Sequence, residues 1–262
     1  MTTACRLCGG STRPLFEKKI LRRHSVWFHQ CEGCGLTQTD SPTWLDEAYS
    51  EPIHGTDTGI LARNLGARRV VATFLHMAGV RGEPGLDYAG GYGMFTRLMR
   101  DAGFDFYWMD RYAANLLARG FEWRPEIGTP RVVTALEVLE HFTKPLDEFR
   151  GIASLGADWI ITSTELHPGT SPAPSWPYLS VESGQHLAFY RTDTLARLGR
   201  ETGYPHVIAG PFLQIFARTS IPAARWKLAA RWSALAFPLV KRLRPSLTVP
   251  DCERLRARLR GE

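Results

Sequence analysis

LDYAGGYGMF, from Leu86 to Phe95, decides how the rest of the chain is read. A short apolar run, Gly85 to Ala89, enters a turn containing Gly90, Gly91 and Gly93, and a helical stretch from Phe95 to Ala102 follows, ended by Gly103. Glycines so placed let the backbone turn tightly enough for a ligand to lie against the main chain. The helix N-terminus beyond favours negative charge. The next apolar run, Phe104 to Met109, closes on Asp110. A carboxylate at the end of a second strand can accept hydrogen bonds from both hydroxyls of a ribose. A nicotinamide cofactor fits this arrangement as well. A phosphate-gripping P-loop does not, because no GK[ST] follows the glycines.

Outward from this stretch the pattern alternates. Ile60 to Ala78 places Leu61, Leu65, Val70, Val71, Phe74 and Leu75 at near-helical spacing. Tyr112 to Ala118 reads as a short helix, Arg131 to Leu136 as a strand and Leu146 to Ala153 as a helix. A strand (Trp159 to Thr162), a helix (Thr192 to Thr202) and two closing strands (Val207 to Ile208, Phe212 to Ala217) complete the run. Repeated strand–helix alternation predicts an open α/β fold, a Rossmann-like sheet with helices on both faces.

The 262 residues are 44% hydrophobic and 22% charged, enough apolar material for a core and too much for bulk disorder. Ala234 to Val240 is the longest apolar run near the C-terminus, far short of the roughly 20 residues that span a bilayer. The opening MTTACRLCGG lacks the basic and apolar regions of a secretion signal, so a cytoplasmic protein is expected.

Cys5-x-x-Cys8 and Cys31-x-x-Cys34 are each followed by glycine, in CRLCGG and CEGCGL. Two such turns facing each other present four thiolates to a tetrahedral metal, with no position open to substrate, so the expectation is a structural zinc site. His24 and His29 lie between the pairs and are not needed, and Cys252 stands alone. The expected organisation is a zinc-binding module at 1–38, a Ser/Thr/Pro/Asp-rich linker at 39–58, an α/β domain at 59–218 and a basic helical tail at 219–262.

The net charge of +6 belongs to that tail, which has ten basic and three acidic residues. Such a tail can meet RNA, an anionic membrane surface or an acidic partner, or simply be a solvated helix. Leu228, Trp232, Leu235 and Leu239 share one helical face, with Arg225, Lys227, Arg231, Lys241 and Arg242 around it. That suits a helix at a membrane interface, and equally a terminal helix packing its apolar stripe on the domain. Pro238 is expected to kink it in either case.

Asp87, Gly91 and Gly93 resemble the first motif, D-x-G-x-G-x-G, of class I S-adenosylmethionine (SAM) dependent methyltransferases, with Ala89 standing where the first glycine usually is. Asp110 in WMDRYA matches the acidic residue after the second strand of that family. VVTALEVLEHFTKPL, Val132 to Leu146, resembles the stretch around its fourth strand, where EVLEH is a familiar string. The resemblance spans roughly residues 60 to 218. It implies SAM as cofactor, held by Asp87, Ala89, Gly90, Gly91, Gly93, Asp110 and Leu136.

Ser163 to Leu195 is long for a connection in a compact domain, and long loops are usually functional or disordered. It holds Trp176, Tyr178, His186, Phe189 and Tyr190, a set suited to sugar rings and hydroxyls. It should lie over the C-terminal edge of the sheet, where ligands bind in such folds. GQHLAFY is similar to an EHxSYFS-type stretch of zinc-containing deoxysugar C-methyltransferases, which implies that His186 lies at the active site. Gln185 replaces the usual acidic neighbour, and those enzymes are longer by a C-terminal α/β domain. The same string also resembles small methyltransferases of polysaccharide and other glycan synthesis. The expected reaction is O-methylation of a sugar hydroxyl on a carbohydrate or glycan acceptor. His186 is the first candidate base and His141 the second, supported by Glu137 or Glu140. Trp176, Tyr178, Gln185 and Tyr190 are the candidate acceptor contacts.

Three alternatives remain open at this level. An RNA methyltransferase lacks support from an NPPY-like or DPPY-like string, from a catalytic cysteine outside the zinc pairs, or from a basic charge over residues 1–218, so nucleic acid is not the expected partner. A sugar C-methyltransferase is the second. A non-catalytic scaffold with a degenerate SAM pocket is the third, with Ala89 as its one positive sign.

Overall fold

The computed structural model describes residues 3–51, 53–167 and 170–261. The chain opens with β1 (Thr12–Ile20), β2 (His24–Cys31), β3 (Thr37–Thr39) and α1 (Leu45–Ala48). Next come α2 (Ile60–Met77), β4 (Gly85–Tyr88), α3 (Met94–Asp101), β5 (Phe106–Met109) and β6 (Val132–Leu136). They are followed by α4 (Pro145–Ala153), β7 (Trp159–Ser163), β8 (Ala188–Phe189), α5 (Thr192–Glu201), β9 (His206–Ala209) and β10 (Gln214–Ala217). Two helices, α6 (Ala223–Leu243) and α7 (Thr248–Arg260), end it.

The strand order of the larger sheet is β5-β4-β6-β7-β10-β9. β4 runs parallel to β5 and β6, and β10 runs antiparallel to β7 and β9. This is the expected Rossmann-like α/β sheet. β7 is buried along its whole length and β6 along all but its last residue, as strands covered on both faces must be. The smaller sheet, in the order β1-β2-β3-β8, is antiparallel throughout.

Two compact units share the chain, residues 1–56, 135–155 and 159–220 forming one and 57–134, 156–158 and 221–262 the other. In the first, the stretch that composition reads as a linker carries α1 and buries Trp44, whose indole N–H donates to the Gly184 carbonyl at 2.8 Å. Ile20, Val26, Phe28, Leu179, Leu187 and Phe189 complete the core around Trp44.

The second unit departs from expectation in two places. Tyr112 to Ala118 is not a helix. Asp110 accepts from the N–H groups of Tyr112 and Ala113 at 2.7 and 2.8 Å, and Asn115 accepts from that of Ala118 at 2.9 Å. Side chains that capture nearby backbone donors in this way compete with helix formation. The tail, in turn, is docked. Trp226 stacks edge-on against Phe74 of α2 at 5.2 Å, and the buried Arg100 of α3 makes two 2.7 Å bonds to the buried Asp251 of α7. α6 buries Trp226, Ala229, Ser233, Phe237 and Val240, and it continues through Pro238. The stripe singled out in the sequence is the other face. Leu228, Trp232, Leu235 and Leu239 are 46–73% exposed, joined by Leu243 at 59%. No helix among the described residues is long and apolar enough to cross a membrane.

Candidate active site

The glycine turn is held from beneath by β5. The Trp108 indole N–H donates to the Gly91 carbonyl at 2.8 Å, and the Gly91 N–H donates to Asp110 at 2.9 Å. A β-carbon at Gly90 would sit 2.6 Å from the Asp87 carboxylate, so only glycine fits there. Gly93, at φ +85°, supplies the left-handed residue that starts α3. Ala89 also takes a left-handed conformation, φ +53°, where an L-residue costs about 1–2 kcal/mol. The turn therefore keeps, with alanine, the backbone shape that glycine would adopt freely.

Asp87 is buried at the end of β4, accepting from the Thr96 hydroxyl at 3.0 Å, the Thr96 N–H at 3.2 Å and the Thr134 hydroxyl at 3.1 Å. Burial pushes its carboxyl up to about 7 despite those three donors, with the nearby Asp110 adding to the rise. Asp110 lies beside the turn and fastens it through the Gly91 N–H. Leu136 is the half-buried last residue of β6. Turn, donor-lined acid and parallel strands are features that fit a nucleoside cofactor.

The other unit gathers the histidines. The 3-10 turn Leu139–His141 follows β6, and Glu140 within it is fully buried. The Tyr178 hydroxyl donates to Glu140 Oε1 at 2.7 Å. His141 Nδ1 lies 3.1 Å from the Gln185 carbonyl and 2.9 Å from the Tyr49 hydroxyl. His186 Nδ1 lies 2.7 Å from the Tyr178 carbonyl. A carbonyl oxygen only accepts, so each ring donates its Nδ1 proton to a backbone carbonyl. The rings meet edge to face with centroids 5.1 Å apart. Burial, and then the neighbouring His186, pull His141 down to about 3, so it is a neutral imidazole at any physiological pH.

Glu137 is held beside this turn in a left-handed conformation, φ +52°. It accepts from the Ser163 hydroxyl at 2.5 Å, and its own N–H donates to that oxygen at 2.8 Å. Strained non-glycine residues of this kind gather at functional sites. Trp176 and Tyr178, both half-buried, lie 5.3 Å apart, and Tyr178 is 4.7 Å from His186. Two of the predicted acceptor contacts serve the backbone. Tyr190 is fully buried with its hydroxyl on the Leu139 carbonyl at 2.8 Å. Gln185 is buried with its amide on the Ala48 carbonyl at 2.8 Å.

Tyr49, Ser163 and Arg6 take part without having been singled out in the sequence. Arg6, between the first two cysteines, donates to the Leu187 carbonyl at 2.9 Å and to the Thr39 carbonyl at 3.1 Å. All four paired cysteines are free thiols. Cys5 and Cys34 sulfurs are 3.5 Å apart, as are those of Cys8 and Cys31, and all four lie within 4.8 Å of one another. A tetrahedron of sulfurs about 2.3 Å from zinc has edges of about 3.8 Å, so the set fits that ion. The hydrogen bond between Cys34 and Cys5 draws the Cys5 thiol down to about 5 and pushes the Cys34 thiol up.

A Rossmann-like sheet with a glycine turn after its first strand belongs to the class of α/β folds that bind nucleoside cofactors. The profile of the family described as "Methyltransferase domain" matches residues 61–207, more than half of the chain, and the chain belongs to that family as a SAM-dependent methyltransferase. No curated protein matches it. Solved structures similar in fold include magnesium protoporphyrin IX methyltransferase from Synechocystis PCC 6803 with bound SAH. That chain shares 15% identity over 66% of this chain and 93% of its own, with a TM-score of 0.42. An O-methyltransferase family protein from Burkholderia thailandensis shares 18%, covering 68% of each chain, with a TM-score of 0.45. Human N-acetylserotonin methyltransferase in complex with SAM shares 12% over 68% of this chain and 66% of its own, with a TM-score of 0.46.

Proposed function

We propose that the chain moves the SAM methyl group to a hydroxyl oxygen of a carbohydrate, as part of glycan or nucleotide-sugar synthesis. The observation that carries this reading is the histidine pair. Nδ1 of each ring bonds to a backbone carbonyl and the rings meet edge to face, and an imidazole is the side chain best matched to taking a hydroxyl proton near neutral pH. SAM supplies the electrophilic sulfonium methyl when bound. Gly90, Gly91, Gly93 and Asp110 would hold it, and Ala89 forms the turn beside them. His186 and His141 engage the acceptor hydroxyl, while Trp176 and Tyr178 offer ring faces for a sugar to stack on. Positioning does much of the work in an in-line displacement of this kind. Changing His186→Ala is expected to cut turnover on glycan acceptors by 100-fold or more, on the order of a lost acid–base contact. Calorimetric SAM binding should stay within twofold. Unchanged turnover would remove His186 from the chemistry, and methyl incorporation into RNA instead of glycans would replace the carbohydrate reading.

We assign a structural zinc to Cys5, Cys8, Cys31 and Cys34. Purified protein should contain close to one zinc per chain, and Cys31→Ser should lose it together with thermal stability. Metal-free protein that is folded and active would overturn the assignment.

We further propose that the exposed seam of α6 docks on an anionic lipid bilayer. Arg225, Arg231 and Arg242 border that seam, and no acidic residue occurs between Thr219 and Pro250. Apolar side chains in the acyl boundary with arginines at the headgroups are the arrangement of an interfacial helix. The protein should sediment with phosphatidylglycerol vesicles and much less with phosphatidylcholine vesicles. Leu235→Glu with Leu239→Glu should abolish that sedimentation. Equal partition between the two lipids, self-association through this face, or no binding would contradict it.

A further inference from the structure

We infer that Glu140, His141 and His186 form a second metal site, one for a catalytic divalent cation, distinct from the four-cysteine cluster. One ligand atom from each of the three lies within 4.8 Å of the others, close enough to share a single ion after small side-chain adjustments. The bonds around them are those a metal site requires. A metal-ligating histidine donates its second ring N–H to a carbonyl or carboxylate, which fixes ring orientation and tautomer. His141 does so to the Gln185 carbonyl and His186 to the Tyr178 carbonyl. The ligating carboxylate is itself oriented by a hydrogen bond, here from the Tyr178 hydroxyl to Glu140 Oε1. Tyr178 therefore steadies two of the three ligands, one through its carbonyl and one through its hydroxyl. Further rigidity comes from the Leu187 N–H, which donates to the Glu140 carbonyl at 2.7 Å.

The ligand chemistry separates this site from the cysteine cluster. Four thiolates select a soft or borderline ion such as zinc. Two imidazoles and a carboxylate, with coordination positions left over, suit manganese, iron(II) or zinc and keep room for an oxygen ligand. The inference rests on the hydroxyl-methylation reading and alters how the hydroxyl is activated. Bound to the cation, the acceptor hydroxyl is acidified and releases its proton to water. Its oxygen then forms the O–CH3 bond as the S–CH3 bond of SAM breaks and the electron pair stays on sulfur. His186 and His141 serve the hydroxyl through the ion.

Manganese(II) is the probe, because the thiolate cluster does not favour it and its free and bound forms are distinguished by electron paramagnetic resonance. The zinc-loaded full chain, titrated with manganese chloride, should bind one ion per chain. Glu140→Gln and His186→Ala should each weaken that binding at least 10-fold, with zinc content and circular dichroism unchanged. His24→Ala, which alters a histidine away from the cluster, should leave it as it is. No manganese binding, or binding that both ligand variants retain in full, would overturn the site. Should a ligand variant fail to fold, Tyr178→Phe, which removes the hydroxyl shared between Glu140 and Thr164, should weaken binding by a smaller factor; unaltered affinity there counts against the site. Full-rate methylation by protein freed of every ion but the cysteine-bound zinc would refute the cation and leave hydroxyl methylation standing. Manganese bound through these residues, with no hydroxyl acceptor methylated, would keep the site and remove that reading.

Discussion

The backbone of Leu187 is the point on which the unit carrying the histidine pair depends. Its N–H donates to the Glu140 carbonyl, and its carbonyl accepts from the Thr39 N–H at 3.1 Å and from Arg6. Three parts of the chain, far apart in sequence, are fixed at one residue: the cysteine knuckle through Arg6, the small sheet through Thr39, and the turn after β6 through Glu140. His186 is its neighbour. The two-residue strand β8 follows at once, pairing Ala188 and Phe189 with Gln38 and Thr37 of β3. Arg6, between the first two cysteines, ties the cysteine pairs to the sheet edge beside His186. Both backbone polar groups of Leu187 are paired, which lets such a junction order a site and not weaken it.

The cofactor side is built on a different constraint, the need for the backbone to turn sharply at the end of β4. Trp108 and Asp110 reach back from β5 to hold Gly91, so the loop has its shape before any ligand arrives. Ala89 accepts a conformation that favours glycine. The backbone shape is kept at a modest cost in strain. Asp87, buried and raised to about 7, belongs to the support of the loop. Its donors come from α3 and β6, tying both to β4.

Much of this was legible in the sequence where one short segment decides its own conformation. The run from Leu86 to Asp110 is such a segment, because glycines, an apolar strand and a capping acid all act locally. Elsewhere the deciding contacts are distant. Nothing near Ala188 marks a strand two residues long, since its partners lie about 150 positions earlier. Tyr49 sits in a polar stretch that reads as linker, and only the fold brings it to His141. Tyr190 and Gln185 have the right chemistry for an acceptor and are used instead to satisfy buried carbonyls. In α6 the sequence contains two apolar faces. The one with Ala229 and Ser233 looks the weaker by composition, but it contains the buried face that includes Trp226 and Phe237, and the leucine-rich face is left in solvent.

The central claim is that the methyl group ends on a hydroxyl oxygen. It is tested most directly by supplying SAM carrying carbon-13 in its methyl group, together with a panel of nucleotide sugars and lipid-linked glycans, and reading the product by carbon–proton NMR. A labelled methyl ether is expected, its carbon coupled through oxygen to a sugar ring proton. A labelled methyl bonded to ring carbon or to nitrogen would contradict it.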